Sequence, residues 1–227
     1  MRQQPEGFHD IPIFPLPNLV LFPRTVLPLH IFEPRYRQMV AHCLEKKLPI
    51  GIVLLKQSPQ KEESGHEAIH EIGGAGEISR HQMLDDGRYH ILLSGRYRFR
   101  IQHLPPLQFL FRQATVESIP ERIPEAEESD DMHGSLLASF EELTRGQQEE
   151  EGEENGREML SQLDFEALVN TLCSALRLDP QTRQNLLELD DLRGRAKSIL
   201  DFMDEQLSLR RLADQYRKLK PEDPSLN

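Results

Sequence analysis

The sequence predicts an α+β protein with a β-rich first half and a helical second half. Three observations support this class: prolines interrupt an apolar run at 11–36, short strand-like segments follow it up to about residue 116, and helical periodicity begins near Ser129. We therefore expect two domains, a β-rich one at 1–118 and a helical one at 119–227.

The apolar run from Ile11 to Tyr36 contains six prolines, so it cannot form a membrane-spanning helix despite its hydrophobicity. The residues before it are largely polar or acidic rather than basic, which argues against a secretory signal peptide. Proline is tolerated at strand starts and sheet edges. The run therefore predicts a buried, winding segment of short strands and turns.

One helix is predicted directly after this run, because Pro34 suits a first helical turn and Pro49 ends the pattern. Its apolar stripe comprises Tyr36, Met39, Val40, Cys43 and Leu44. The continuous apolar run Ile50–Leu55 then predicts a buried strand, and the polar residues 56–70 predict a surface loop.

Further strands are predicted at Gly76–Leu84, Tyr89–Leu93, Tyr97–Leu104 and Leu107–Val116. The dipeptide Asp86-Gly87 predicts a hairpin turn between the first two of these strands. The glycine cluster at 73–76 has no following lysine, so it predicts a bend at a strand entry and not a phosphate-binding loop. The first half is thus expected to be a compact, mostly antiparallel β domain with one helix.

Helical spacing marks the second half. One helix is indicated by Met132, Leu136, Phe140 and Leu143, and another by Leu168, Val169, Leu172, Cys173 and Leu176. Asp179-Pro180 predicts the start of a short helix that runs through Leu189. Between the first two helices, the acidic segment 146–156 predicts a solubilising connector.

A last helix is predicted from near Asp190 or Asp191 to about Lys220. Its apolar face comprises Leu192, Ala196, Ile199, Met203 and Leu207, and then shifts to Leu209, Leu212, Tyr216 and Leu219. A helix of this length would reach on the order of 40 Å, more than a small domain's core requires. Its far end is therefore expected to pack on another chain, with a homodimer as the simplest case.

Charge and cysteine content narrow the class of protein. The net charge of −11 comes from the second half, since residues 1–116 carry 14 basic and 11 acidic side chains and the remainder carries 13 and 27. Such an acidic half argues against a nucleic-acid surface there. Cys43 and Cys173 form neither a disulfide framework nor a zinc pattern, which predicts inert core thiols in a reducing cytoplasm.

The proline-rich segment resembles the opening of the N-terminal, substrate-contacting domain of the ATP-dependent Lon proteases. The matching residues are Pro12–Leu16, Val20–Pro23, Val26–Leu29 and Ile31–Tyr36. Further matches lie at Glu71–Ile78, Asp86–Tyr89 and Gly95–Ile101 and, more loosely, at Ala167–Leu176 and Arg183–Leu189. The resemblance implies a PUA-like antiparallel β pseudo-barrel with one helix, followed by a helical bundle that ends in a long helix.

The signature residues of the resemblance in this chain are Glu33, Arg35, Tyr36, Asp86, Gly87 and Gly95. We expect a buried or semi-buried ion pair between Glu33 and Arg35 that holds the corner between strand and helix. His30, which precedes this corner, is expected to be a hydrogen-bonded histidine of the core or rim. These residues are assigned a structural role, because no nucleophile or histidine partner is evident beside them.

The resemblance also implies a function, namely recognition of unfolded or exposed hydrophobic polypeptide segments, or of a protein partner, as an adaptor in protein quality control. An apolar groove or strand addition at a sheet edge would serve this binding. Candidate contact residues are Leu19, Leu21 and Phe22, although for any one of them burial in the core is the favoured alternative. The sequence contains no G-x-x-x-x-G-K-[ST] loop and no region matching a Ser/Lys peptidase, so a stand-alone, non-catalytic module without cofactor is expected.

Two alternatives rest on short motifs. His66-Glu67-Ala68-Ile69-His70 fits H-E-x-x-H, which on a helix holds catalytic zinc, but a third ligand and an apolar helical face are lacking, so we expect no metal site. Arg96, Arg98 and Arg100 alternate with apolar residues along a predicted strand. A solvated strand face is the favoured interpretation, and a basic stripe for RNA is the alternative.

Overall fold

The computed structural model describes residues 7–57, 67–145 and 158–219. The acidic segment 146–156 and His66 lie outside these ranges. The strands are β1 Phe8–Leu16, β2 Val26–Ile31, β3 Ile50–Leu54, β4 Ile72–Met83, β5 Tyr89–His103 and β6 Arg112–Ile119. The helices are α1 Pro34–Lys46, α2 Ala126–Thr144, α3 Phe165–Ala175, α4 Pro180–Glu188 and α5 Leu192–Leu219, with a short helical turn at 158–161.

Five of the six strands close into a pseudo-barrel, because the sheet order β2-β5-β4-β3-β1-β6 is completed by pairing of β6 with β5, while β2 pairs with β5 alone among the described strands. All pairs are antiparallel except β1 with β3. The first half of β5 pairs with β2, and the second half pairs with β6. The predicted α+β class, with a β pseudo-barrel, one helix and a helical region ending in a long helix, is confirmed.

β5 is one continuous strand of 15 residues, where the sequence predicted two. Gly95, near its middle, explains the interruption in the pattern, since a Cβ there would lie 2.1 Å from the backbone oxygen of Phe22. The glycine cluster at 73–76 likewise lies inside β4 and not at its entry. Glycine is needed at position 74, because a Cβ there would lie 1.8 Å from the backbone oxygen of Leu21. Both glycines let the backbone of residues 21–22 cross directly over the sheet.

The predicted hairpin turn at Asp86-Gly87 is present between β4 and β5. Gly87 adopts a φ of 77°, a left-handed conformation that favours glycine. The Leu84 amide donates to the Arg88 oxygen at 2.8 Å, and an Asp86 carboxylate oxygen accepts from the Arg88 amide at 3.1 Å. This last hydrogen bond, together with the Arg88 side chain, lowers the pKa of Asp86.

The strand predicted at Leu107–Val116 begins only at Arg112, because residues 104–111 form a loop. Pro105 and Pro106 remove two backbone donors at the point where a ladder would have to start. The apolar pattern of this loop was therefore misleading. It marks an exposed surface segment, in which Leu107 and Leu110 are largely accessible.

α1 and β3 agree with their predictions. α1 buries Tyr36, Met39, Val40 and Cys43 against a core that includes Leu21, Ile31, Ile50, Ile52, Ile91 and Leu93. All residues of β3 are buried. Burial raises the pKa of the Cys43 thiol to about 12, and Cys173 is also buried and forms no disulfide, in keeping with inert thiols.

The chain divides into two compact units, Met1–Arg122 with Asn170–Asp190, and Ile123–Val169 with Asp191–Asn227. The first unit thus includes α4, which the sequence grouped with the helical region. α4 is tied to the barrel by Gln184, whose amide donates to the Ile72 backbone oxygen at 2.9 Å. Asp179 caps the helix by accepting hydrogen bonds from the backbone amides of Gln181 and Thr182. Its carboxylate also accepts from the Thr182 hydroxyl. This hydroxyl bond first, and then the amide bonds, lower the pKa of Asp179.

In the second unit, α2 packs against α5. The buried face of α5 comprises Leu192, Ala196, Ile199, Met203 and Leu207, as predicted. Arg210 fastens the far end of α2 by donating to the backbone oxygens of Leu143 and Arg145 at 3.1 and 2.7 Å. Among the described helices, none combines the length and apolarity that a bilayer span requires.

Candidate polypeptide-binding cleft

The structure places the three predicted contact residues in different environments. Leu21 and Phe22 are 1% and 0% exposed and belong to the barrel interior, where the crossing backbone segment covers β4 and β5. A polypeptide on the surface does not reach either side chain in this structure. Leu19 is partly exposed and lines a surface cavity, so contact with polypeptide stays a prediction for this residue.

This cavity, here called the cleft, has a volume of ≈ 550 Å³. It is bounded by the segment joining β1 to β2, the start of α1, and the loop at 104–111. Its apolar lining includes Phe14, Leu16, Leu19, Phe32, Leu107, Leu110 and Phe111. All of these residues belong to the first unit.

Three large apolar side chains of the cleft are accessible to solvent. Phe32 is 61% exposed, Leu107 53% and Leu110 65%. Scattered single apolar residues are ordinary on a protein surface, but several that converge on one cavity mark an interaction site. None of these three residues is among the contact residues predicted from the sequence. The Pro105-Pro106 pair was the available signal, since it argues for a loop and hence for exposure of the apolar residues that follow.

Aromatic contacts build the floor and one wall of the cleft. The rings of Phe14 and Tyr36 lie 4.0 Å apart at the floor. In the wall, Phe109 and Phe111 stack with centroids 4.9 Å apart, and Phe109 also contacts His42 of α1. A further bond fixes the wall, because the Leu110 amide donates to Gln38 Oε1 at 3.1 Å. The loop that presents Leu107 and Leu110 is therefore held against α1.

Polar groups lie at the rim. The predicted Glu33–Arg35 ion pair is present at 2.9 Å, but both side chains are well exposed, so it is a surface pair and not a buried one. The Arg35 guanidinium lies 4.5 Å from the Tyr36 ring centroid. Tyr36 itself is only 7% exposed, and burial raises the pKa of its hydroxyl. The rim thus offers a charged donor and a charged acceptor, Arg35 and Glu33, beside an apolar interior.

The open edge of β2 is a less suitable place for strand addition. Within the described residues β2 pairs with β5 alone, so its other side is unpaired. Pro28 lies in the middle of this strand and has no amide hydrogen. Proline in a strand normally turns its nitrogen away from the ladder, so a donor is missing at the open edge. The cleft is the better candidate for binding.

The H-E-x-x-H segment has the wrong conformation for a zinc protease in its described part. Ile69 forms an isolated bridge with Leu55, and residues 67–70 are extended rather than helical. His70 Nδ1 lies 3.0 Å from Glu188 Oε1, which ties this segment to α4. Over the described residues, no group of three or more His, Cys, Asp or Glu side chains is placed to hold a metal ion.

The arginine strand is not a uniformly solvated face. Arg96 and Arg100 are exposed, but Arg98 is fully buried beneath the end of α4. Its side chain donates to Glu121 Oε1 at 2.7 Å and to the backbone oxygens of Leu187 and Leu189 at 2.8 Å. Arg98 therefore has a structural role, and it does not present its charge to RNA.

This chain is similar to known proteins of one family. Residues 10–205 match the family model of the ATP-dependent protease La (LON) substrate-binding domain. Lon protease 2 of Desulfotalea psychrophila is 28% identical over 202 residues, which cover 87% of this chain and 25% of that protein. Lon protease of Cytophaga hutchinsonii is 27% identical over 88% of this chain and 24% of that protein. The chain thus spans about a quarter of the length of these relatives.

Solved structures share the fold. The N-terminal domain of the Mycobacterium avium complex Lon protease aligns with a TM-score of 0.68 at 15% identity, covering 86% of this chain and 98% of that one. The Lon N-terminal domain protein from Xanthomonas campestris aligns with a TM-score of 0.62 at 23% identity, covering 86% and 99%. Together with the family match over most of its length, this likeness shows that the chain belongs to the Lon substrate-binding domain family.

Proposed function

We propose that this chain is a non-catalytic polypeptide-binding module whose cleft receives an extended apolar segment of a client protein. The observation that carries the proposal is the convergence of Phe32, Leu107 and Leu110, each more than half exposed, on a single cavity. Membership of a substrate-binding family supports a role in binding polypeptide substrates. The proposal assigns no catalytic residue and requires no cofactor.

The chemistry of the cleft suits such a segment. Burial of exposed apolar side chains supplies the favourable free energy, and aromatic residues dominate binding at such sites. The rim groups Glu33 and Arg35 are available to hydrogen-bond the backbone of an extended chain, which carries a donor and an acceptor at nearly every residue. Recognition would then depend on exposed apolar side chains and an unfolded backbone, and not on one particular sequence.

We also propose, within this function, that the module delivers its clients to a separate protease or chaperone, as an adaptor in protein quality control. The cytoplasmic location and the absence of nucleic-acid partners stay predictions. For self-association, a stripe on α5 is the candidate surface, since Leu209, Leu212 and Tyr216 are 53%, 50% and 68% exposed. Their spacing of three and four residues places them on one helix face.

The test compares binding of a fluorescent, permanently unfolded polypeptide with binding of the same polypeptide in its folded form. We expect selective binding of the unfolded form that changes little with salt, because apolar contacts are not screened. Phe32→Ser should weaken this binding at least about tenfold, the effect of losing an aromatic anchor. Fluorescence anisotropy measures both quantities.

Phe8→Ser is the matched control. Phe8 is 69% exposed in the same unit but does not line the cleft, so its replacement should leave the dissociation constant unchanged. Equal losses in the two variants would assign binding to general surface hydrophobicity. Failure of the unmodified protein to bind either form of the polypeptide would reject the proposed function.

A further inference from the structure

A second groove, also of ≈ 550 Å³, lies on the face of the sheet formed by β2, β5 and β4. It is lined by residues 28–30, 80–82 and 90–92. The strand register sets its geometry: His30 pairs with His90, which pairs with Gln82 on its other side. One row along, Leu92 lies between Pro28 and Arg80 in the same way. Because side chains alternate along strands, both rows share one face.

The groove carries basic and protonatable groups and no carboxylate. Arg80, His30 and His90 are all exposed, and none of the lining residues is Asp or Glu. In the described part of the chain, Arg80 forms no ion pair or side-chain hydrogen bond. Two nearby carboxylates are already engaged, Glu77 with Arg96 at 3.7 Å and Asp86 with Arg88 at 2.6 Å. The groove is thus a locally cationic surface on a chain of net charge −11.

The groove is continuous with the cleft through two residues. The His30 ring lies 4.7 Å from the ring of His90 in the groove and 6.1 Å from the ring of Phe32 in the cleft, measured between centroids. Leu29 and His30 line both cavities. A polypeptide that leaves the cleft beside Phe32 therefore passes directly onto the groove.

We propose that the groove binds an acidic segment of the client polypeptide, adjacent to the apolar segment held in the cleft. This inference rests on the proposed function and specifies its client: an apolar stretch flanked by Asp or Glu residues. Charge complementarity supports the assignment, because a guanidinium such as that of Arg80 pairs with a carboxylate through two parallel hydrogen bonds. The exposed imidazoles of His30 and His90 add further donors beside it.

Three fluorescent peptides test the inference. They share one apolar core and differ only in a flank of three Glu, three Gln or three Lys residues. The Glu-flanked peptide should bind about threefold to tenfold more tightly than the Gln-flanked one at low salt, and the difference should shrink as salt screens the charges. Arg80→Gln should abolish this preference and leave the affinity for the Gln-flanked peptide unchanged.

Arg100→Gln serves as the matched control, since Arg100 is an exposed arginine of β5 outside the groove and its loss should leave the preference intact. Equal binding of the three peptides would overturn the inference while leaving the proposed function standing. Absence of binding by every peptide would overturn both. Displacement of the Glu-flanked peptide, but not the Gln-flanked one, by an equimolar single-stranded RNA would reassign the groove to nucleic acid and overturn the inference.

Discussion

Individual residues decide whether the crossing segment can lie on the sheet. Gly74 and Gly95 face the backbone oxygens of Leu21 and Phe22, at positions where any Cβ would come within 1.8 and 2.1 Å. These are contacts with backbone, which cannot turn aside as a flexible side chain can. The two glycines therefore permit the burial of Leu21 and Phe22, and with it the shape of the cleft beside them.

Gly74→Ala should destabilise the first unit strongly. The added methyl group requires the crossing segment to move away from the sheet, so we expect the free energy of unfolding to fall by about 3 kcal/mol. Urea unfolding followed by circular dichroism measures the change.

Gly134→Ala is the control for this substitution. Gly134 lies in α2 with nothing within 4 Å of the position of its missing Cβ, so alanine should raise stability by about 0.5–1 kcal/mol through its better helix propensity. A Gly74→Ala variant as stable as the unmodified protein would contradict the close approach seen in the structure.

At this scale the sequence predicted the character of residues better than their position. It predicted the Asp179 cap and the Asp86-Gly87 turn, because capping and turn chemistry depend on neighbouring residues only. It left open whether Leu21 and Phe22 are core or contact residues, and it did not single out Phe32 and Leu110 as exposed. All four are apolar, and which of them is covered depends on contacts between segments that are distant in the sequence.

Among the elements, α4 is joined to the barrel by a buried charge. Arg98 projects from β5 and donates to Glu121 and to two carbonyl oxygens at the end of α4. Strand alternation predicted that Arg96, Arg98 and Arg100 share one face of the strand, although the β4–β5 register shifts at Arg96. It carried no information on which part of that face a helix some 80 residues later would cover, so the solvated face was predicted wrongly at Arg98.

Arg98→Met should lower the free energy of unfolding by about 3–5 kcal/mol, because it leaves the Glu121 carboxylate buried without its charged partner. Arg96→Met, on the same strand, provides the comparison. Arg96 and Glu77 form an exposed pair at 3.7 Å, whose loss should change stability by no more than about 0.5 kcal/mol. Similar effects of the two substitutions in urea unfolding would argue against a structural role for the buried pair.

For the whole molecule, the sequence predicted the fold class from periodicity and the family resemblance, but periodicity does not record which unit a helix joins. The expected domain boundary at 118/119 lies close to Arg122, where the first segment of the first unit ends. The later segment Asn170–Asp190, which the contacts group with the barrel, looks like any other helical stretch in the sequence.

Assembly of whole molecules is expected to depend on the stripe on α5. Leu212→Glu introduces a charge at its centre and should shift the protein towards the monomer in sedimentation velocity, if two copies associate through this helix as proposed. Gly134→Glu adds the same charge to an exposed position of α2 in the same unit, with nothing within 4 Å of the position of its missing Cβ, and should leave association unchanged. A monomer at all concentrations in the unmodified protein would reject the dimer.

The pairing of the first strand with the last has a consequence for synthesis on the ribosome. Phe8 of β1 lies opposite Glu117 of β6, so the barrel cannot close until residues up to Ile119 have left the exit tunnel. At bacterial or eukaryotic elongation rates this takes on the order of ten seconds. Throughout that interval the nascent chain displays the same kind of apolar, unpaired segment that the finished cleft is proposed to recognise. During its own synthesis the chain therefore resembles the unfolded polypeptides that it is proposed to bind.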